Sequence, residues 1–357
     1  MSEHFAGLDV SVATTAVCVV DAGGEVVFRG EAATEPEAIA RVLAPWAATL
    51  RRAGHEAGSL SPWLQPGLRR LGVPAVCLET RHVRAALAAQ RNKTDATDAL
   101  GLAHIVRTGW FKAAHVKTDG AYRLRLLLTQ RRALKRKCLD LENAIRHSLK
   151  AFGVKLGGVS RGRFERAVRE ACADDPLTAE LMDAMLTARA ALWAQYMRLH
   201  GLVVRIVARD GLCRRFMQVP GVGPVCALTF AAAVDDPTRF RRSRDVAAYF
   251  GLTSRRRQSG TSIDVKGRVS KAGDPAVREA LYEAAGVMLT RYRGTTALRT
   301  WGLKLAKTKG HKKAIVAVAR KLAVVLHAMW RSGTDYADAP DGRHAARKLQ
   351  KLAQAGA

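Results

Sequence analysis

Acidic residues are scarce in this chain. Its 357 residues include 31 Asp and Glu against 59 Lys and Arg, a formal net charge of +28. A field of that sign attracts polyanions, and nucleic acid is the first partner to expect. Paired cysteines are missing too. The six, Cys18, Cys77, Cys138, Cys172, Cys213 and Cys226, include no CxxC spacing and have no histidine cluster beside them. That pattern argues against a zinc site or a disulfide framework and for buried free thiols in a reducing compartment. No run of eighteen apolar residues occurs, so no membrane span is expected. The opening MSEHFAGLDVS has neither a basic n-region nor an apolar h-region, so the expected location is cytoplasmic.

What is present is an ordinary globular composition, 48% hydrophobic and 25% charged, on a chain long enough for two or three cores. Residues 5–29 alternate short apolar runs with turns, Ala22-Gly23-Gly24 being the tightest, which predicts a three-stranded antiparallel meander. EPEAIARVLAPWAATLRRAG then reads as a helix, HEAGS as the end of a short strand, WLQPGLRRLG as a helix and VPAVCLE as a strand. Helices over residues 81–90 and from TDATDA onward complete an α/β block.

From residue 121 the period changes. Leu134, Cys138, Leu141, Ile145, Leu149 and Phe152 form a helical packing stripe. Arg123, Arg125, Arg131, Arg132, Lys135, Arg136 and Lys137 decorate the same helix with no acid among them, as a helix facing a phosphate backbone would. A second long helix, Leu177 to about Arg209, could pair with it as an antiparallel coiled coil or a dimerisation arm. In FMQVPGVGPVCALTF, the Pro220-Gly221-Val222-Gly223 turn between two helical stretches resembles a helix-hairpin-helix, whose glycines let backbone N–H groups approach a phosphate. GVGPVC lacks the third glycine of a dinucleotide loop, so no nucleotide cofactor is expected. KKAIVAVARKLAVVLHAMW reads as a core helix.

Two constellations carry chemistry. Asp9 ends the first strand, Glu56 lies where a central strand could end, and Asp95 and Asp98 share one face at the start of a helix. This distribution resembles ribonuclease-H-like folds, where two Mg²⁺ ions about 4 Å apart need several carboxylate oxygens. Glu79 and Asp21 compete with Glu56, and helix capping by Thr94 with first-turn acids is the bland account of Asp95 and Asp98. The second is LTSRRRQSGTSIDVKGRVSKAGD, where Arg255, Arg256 and Arg257 precede Gln258-Ser259-Gly260. Adjacent guanidiniums could bind a phosphate under attack by a serine. Composition alone favours a DNA-contacting loop and does not choose among Ser254, Ser259, Ser262 and Ser270.

GLDVS, the Glu56 segment, RNKTDATDA with GLAHIVRTGW, VPGVGPVCAL, DDPTRFRRSRDVAAYFGLTSRRRQSG, GRVSKAGD and KKAIVAVARKLAVVLHAMW occur in that order over residues 4–335. Together they resemble the DEDD-type insertion-sequence transposases of the IS110 family, with its IS1111 branch. The resemblance implies an α/β plus α architecture. A RuvC-like, ribonuclease-H-fold DEDD domain would span 1–120, a helical coiled-coil region 121–212, and a mainly helical transposase domain with the catalytic serine 213–335; outside the resemblance, the composition of 336–357 predicts a basic, disordered tail. It further implies an element-encoded bridge RNA that pairs with donor and target DNA, and Mg²⁺ held by Asp9, Glu56, Asp95 and Asp98. Ser259, in a Ser-Gly dipeptide, would form a phosphoserine link, in a composite site of a homo-oligomer, dimer to tetramer. Gln258 stands where many relatives have a second serine, which leaves Ser259 alone in the dipeptide. Arg131, Arg132, Lys135, Arg136, Gly221, Gly223, Arg255, Arg256 and Arg257 are the expected nucleic-acid contacts. The competing expectations are a RuvC-like nuclease that cuts with metal-activated water, and a binding protein without catalysis.

Overall fold

The computed structural model describes residues 3–88, 94–260 and 263–337. From 338 onward the expected tail lies outside the described residues, as does Ser262. The chain divides into two compact units, residues 1–119 and 120–357.

In the first unit β1 (His4–Val10), β2 (Thr14–Asp21) and β3 (Val26–Ala33) form the expected antiparallel meander. After α1 (Pro36–Leu43), β4 (Leu50–Glu56) pairs parallel with β1. After α2 (Ser61–Arg70), β5 (Ala75–Leu78) pairs parallel with β4. The sheet order is β3-β2-β1-β4-β5. The helix expected to run through LRRAG stops early, at Leu43, and Pro45 directly afterward removes a helical N–H donor. LRRAGHE has weak strand propensity, yet Ala53, Gly54 and His55 are buried between β1 and β5, and that tertiary pairing decides its state.

Side-chain alternation gives the sheet two dry faces. Ala6, Leu8, Val17 and Val19 face Ile39, Leu43, Leu64 and Leu68 of α1 and α2. Phe5, Ala16, Cys18 and Val20 face the other way, against Val83 of α3 (Thr80–Leu87) and Ala99, Leu102, Ala103 and Val106 of α4 (Asp95–Thr108).

The second unit opens with two long antiparallel helices, α5 (Asp119–Lys150) and α7 (Pro176–Arg209), bridged by α6 (Phe164–Ala171). Ile145 and Leu149 pack with Phe164, Val168, Met182 and Leu186. Further along, Arg189 Nη2 and Nε donate to Glu142 Oε1 at 2.7 and 3.0 Å, with Arg161 Nε on the same oxygen at 3.3 Å; removal of Glu142 would leave the buried Arg189 charge uncompensated. The expected apolar stripe ends at Leu149; Phe152 lies past the helix end and is 66% exposed.

The remaining elements are α8 (Gly211–Phe216), α9 (Pro224–Val234), α10 (Ser243–Tyr249), the hairpin β6 (Ser254–Ser259) and β7 (Ile263–Val269), α11 (Pro275–Thr290), α12 (Ala297–Lys309) and α13 (His311–Ser332). Phe216, Phe230, Phe250, Leu281, Met288, Leu322 and Leu326 build one core in which the apolar face of α13 is central. No described helix is long and apolar enough to cross a membrane. All six cysteines are buried and none is in a disulfide.

His327 of α13 fastens this core to the segment before α10. Its Nε2–H donates to the Pro237 carbonyl at 2.9 Å, and its Nδ1 accepts from the Ser243 hydroxyl at 3.0 Å, so the neutral ring satisfies both. Burial holds its pKa below the ordinary 6.5, helped by the nearby Arg331 charge against the opposing pull of the Pro237 bond. The folded protein therefore binds this proton less readily than the unfolded chain. The contribution to stability is complete above pH 6.5 and is lost as pH falls through and below it. Urea unfolding at pH 7.5 and 5.5 should show a smaller acid-induced loss for His327→Gln than for wild type; equal losses would contradict this role.

Candidate active site

β1 and β4 run parallel with Leu8 opposite His55, so the next residues, Asp9 and Glu56, adjoin at the same strand ends. Alternation places Asp9 on the face of Phe5 and Gly7, and Glu56 on the face of Gly54. That face carries α4. An ideal Cβ on Gly7 would stand 2.0 Å from the Ala99 carbonyl oxygen and 2.4 Å from Ala103 N, and one on Gly54 would stand 2.3 Å from Val106 Cγ1. Gly7 and Gly54 are register partners. Together they open a trough in the sheet in which α4 lies against bare backbone. Seated there, α4 presents its first turn, with Asp95 and Asp98, at the end of the sheet that holds Asp9 and Glu56. Asp9, Glu56 and Asp98 are half-buried and Asp95 is exposed.

Capping does not require these aspartates. Thr94 is the N-cap: its Oγ1 accepts from Thr97 N at 3.2 Å, while Thr97 Oγ1 accepts from Thr94 N at 2.9 Å. The threonines close a reciprocal capping box, and the acids add only a favourable charge near the helix dipole. The rivals of Glu56 have other tasks. Asp21 lies at the opposite end of β1–β2, paired with His4, and its Oδ1 accepts from Gly24 N and Glu25 N. Glu79 is paired with Arg81 and Lys112. Neither Glu56 nor Asp95 has an ion pair among the described residues. Four hard oxygen donors at one end and on one face suit a divalent cation such as Mg²⁺. Among the described residues no three His, Cys, Asp or Glu stand close enough together to hold an ion, so the carboxylates share a location without forming a closed coordination shell.

Ser259, in the second unit, ends β6, opposite Ile263 and beside Gly260, whose φ is +53°. The segment expected to be a loop is this hairpin. Every residue of β6 is exposed, while its base is fixed. Arg278 Nη1 donates to the carbonyls of Phe250, Ala272 and Gly273, and a Cβ on Gly251 would stand 2.1 Å from the Ala272 oxygen. Ser254 and Ser270 lie at that base and Ser259 at the tip. The three arginines separate by parity. Arg256 Nε and Nη2 bind both oxygens of Asp264 at 2.7 and 2.8 Å, on the face shared with Gln258. Arg255 reaches the Ser270 carbonyl. Arg257, two residues before Ser259, shares its face and has no ion pair among the described residues.

The other expected nucleic-acid contacts fare unequally. Arg131 is half-buried within the helical pair: its Nη2 donates to Tyr196 Oη at 2.7 Å and its Nε to His200 Nδ1 at 3.2 Å. Arg125 pairs with Asp274 at 2.6 Å and Arg132 with Glu279 at 3.4 Å, so two cations of the acid-free stretch 123–137 find their partners at the start of α11. Lys135 is half-buried and Arg136 exposed. Gly221 has φ +85°, and a Cβ there would stand 2.2 Å from the Ala284 carbonyl oxygen, so close packing on α11 already accounts for that glycine. Gly223, the N-cap of α9, has open space around it.

Residues 6–153 match the family defined as DEDD transposase of IS110 type, and residues 213–300 match the transposase family IS116/IS110/IS902. The first interval contains all four acids; the second contains Gly221, Gly223, Arg255, Arg256, Arg257 and Ser259. The chain is similar to the Sinorhizobium fredii protein y4pF/y4sB, named as a transposase, at 28% identity over 300 residues, 82% of this chain and 72% of that one. It is similar to the transposase for insertion sequence element IS1111A of Coxiella burnetii, 26% identical over 264 residues, 72% of each chain. A third similarity, 29% over 119 residues, is to a pilin gene-inverting protein of Moraxella bovis, covering 33% of this chain and 36% of that one.

The trough is directly testable. Gly7→Ala and Gly54→Ala should each cost about 1–3 kcal/mol in urea unfolding through overpacking against α4. Gly58→Ala should be near neutral, because nothing lies within 4 Å of the place its new methyl would take. Equal stability of all three variants would contradict the trough.

Proposed function

The chain is a transposase of the IS110 family, and we propose that it is a bridge-RNA-guided DNA recombinase whose nucleophile is Ser259. Asp9, Glu56, Asp95 and Asp98 would hold Mg²⁺, and the functional species would be a homo-oligomer, dimer to tetramer, whose sites combine acids and serine from different copies. The RNA, the oligomer and the serine's role rest on the resemblance of the ordered motifs. The observation that carries the serine assignment is the position of Ser259 at the exposed tip of a hairpin with Arg257 on its own face.

In the proposed reaction Ser259 Oγ forms a bond to a backbone phosphorus, and the bond from that phosphorus to one deoxyribose oxygen breaks. The serine proton leaves to solvent, and the released oxygen departs as a hydroxyl. The Arg257 guanidinium donates to the non-bridging oxygens, whose charge grows in the transition state. A hydroxyl of the exchanged strand then attacks the phosphoserine, restoring both a phosphodiester and the free serine. Phosphodiester bonds are conserved, so no ATP is consumed. A bound divalent ion would supply further charge neutralisation at the phosphate. Arg136, Lys135, Arg255 and the α9 N-terminus at Gly223 would contact the nucleic-acid backbone, whereas Arg131 holds α5 to α7 and Arg132 is paired with Glu279.

One observation favours a hydrolytic reading instead: the four acids lie in a unit, residues 1–119, that has its own sheet and cores. End-labelled DNA carrying the element junction, incubated with Mg²⁺ and the element's flanking noncoding RNA, separates the two. Wild type should give a labelled protein–DNA band on a denaturing gel, Ser259→Ala none, and Asp95→Asn or Asp98→Asn a band reduced to background. Cleaved free DNA from both wild type and Ser259→Ala would overturn the serine and establish hydrolysis.

A further inference from the structure

A group of exposed lysines without ion pairs among the described residues lies outside both matched intervals. Between Glu283 and Asp335 the sequence has no acid, while lysines and arginines recur throughout. This stretch folds into α12 and α13, joined at Gly310 with φ +86°. Lys304, Lys307, Lys309, Lys312, Lys313 and Lys321 are all exposed there, and none has an ion pair among the described residues. On α5, by contrast, Arg125 and Arg132 are paired with acids. Both stretches are basic with no acid among their cations in sequence; the fold pairs two of the arginines on α5 and none of these six lysines.

The helices that carry them are also closely packed. A Cβ on Gly302 would stand 2.7 Å from both Leu289 and Val318, so α12 is seated directly on α11 and α13. Thr296 caps α12 through the Arg299 N–H at 3.1 Å. On the outer face Trp301 is 39% exposed with the Lys321 ammonium 6.0 Å from its ring centroid.

We propose that the α12–α13 ridge is a sequence-neutral docking surface for duplex DNA, binding the phosphodiester backbone away from the reacting bond. Lys304, Lys307, Lys309, Lys312 and Lys313, exposed on packed helices and without an ion pair among the described residues, would release a polyanion's condensed counterions on meeting it. Lysine, a compact charge without the planar fork of arginine, suits backbone contact better than base reading. Single-stranded nucleic acid is the poorer fit, because it calls for successive stacking aromatics and this face offers one, already occupied by Lys321. The choice of DNA follows from the family; the surface itself is independent of the serine chemistry.

The test is equilibrium binding of the full chain to a fluorescent 40-base-pair duplex of arbitrary sequence, without Mg²⁺, from 50 to 300 mM salt (oligonucleotide length and salt range are about what a backbone-binding slope requires). Replacing Lys304, Lys307 and Lys313 together by Gln should make the slope of log affinity against log salt shallower by about 2.7, and Arg at the same positions should restore it. Lys304→Gln alone should remove about 0.9, which keeps the test open should the triple variant fold poorly. An unchanged slope overturns the proposal, as does a loss seen with single-stranded RNA but not with duplex. Because neither Mg²⁺ nor cleavage is involved, failure here leaves the assignment of Ser259 untouched, and failure of the covalent assay leaves this surface untouched.

Discussion

The approach of α4 to bare strand backbone is the constraint on which the acidic site depends. Gly7 and Gly54 face each other across β1 and β4, and no side chain at either fits beneath Ala99, Ala103 or Val106. Each precedes a carboxylate by two residues on its own strand, Gly7 before Asp9 and Gly54 before Glu56. Strand alternation turns that spacing into a rule: the residue that admits the helix and the residue that faces its first turn lie on one face. The Thr94–Thr97 capping box then starts the helix at the right residue, so that Asp95 and Asp98 arrive at the end of the sheet.

Much of this was legible in the chain. The meander, the two long helices and the core character of α13 follow from period and turn residues. Thr94 as N-cap follows from its position before the first helical aspartate. β4 was the hard element. LRRAGHE carries two arginines and a histidine, and only burial between two parallel neighbours makes it a strand. The glycine trough had a signal, the repeated Gly-x-acid at two strand ends, but its meaning requires knowing that the strands are adjacent. Phe152 was misplaced because helical periodicity does not announce where the helix stops.

Charge was the least legible quantity. Acid-free runs on α5 and on α12–α13 look alike in sequence, yet Asp274 and Glu279, at the start of α11, pair with Arg125 and Arg132 of α5. Similarly, three consecutive arginines before Ser259 are indistinguishable by composition. Hairpin parity sends Arg256 to Asp264 on one face and leaves Arg257 beside Ser259 on the other. Partner assignment is a property of the fold, and only the fold separates a neutralised cation from one available to a phosphate.

On the proposed reading, the glycine trough brings four carboxylates together as one divalent-metal site. Binding of Mn²⁺, as a spectroscopic substitute for Mg²⁺, to the full-length protein tests it most directly by the loss of free-ion electron paramagnetic resonance signal. Saturable binding should be weakened by Asp9→Asn, Glu56→Gln, Asp95→Asn and Asp98→Asn, and also by Gly54→Ala, which alters no ligand. Mn²⁺ affinity indifferent to the four carboxylate substitutions would contradict the claim.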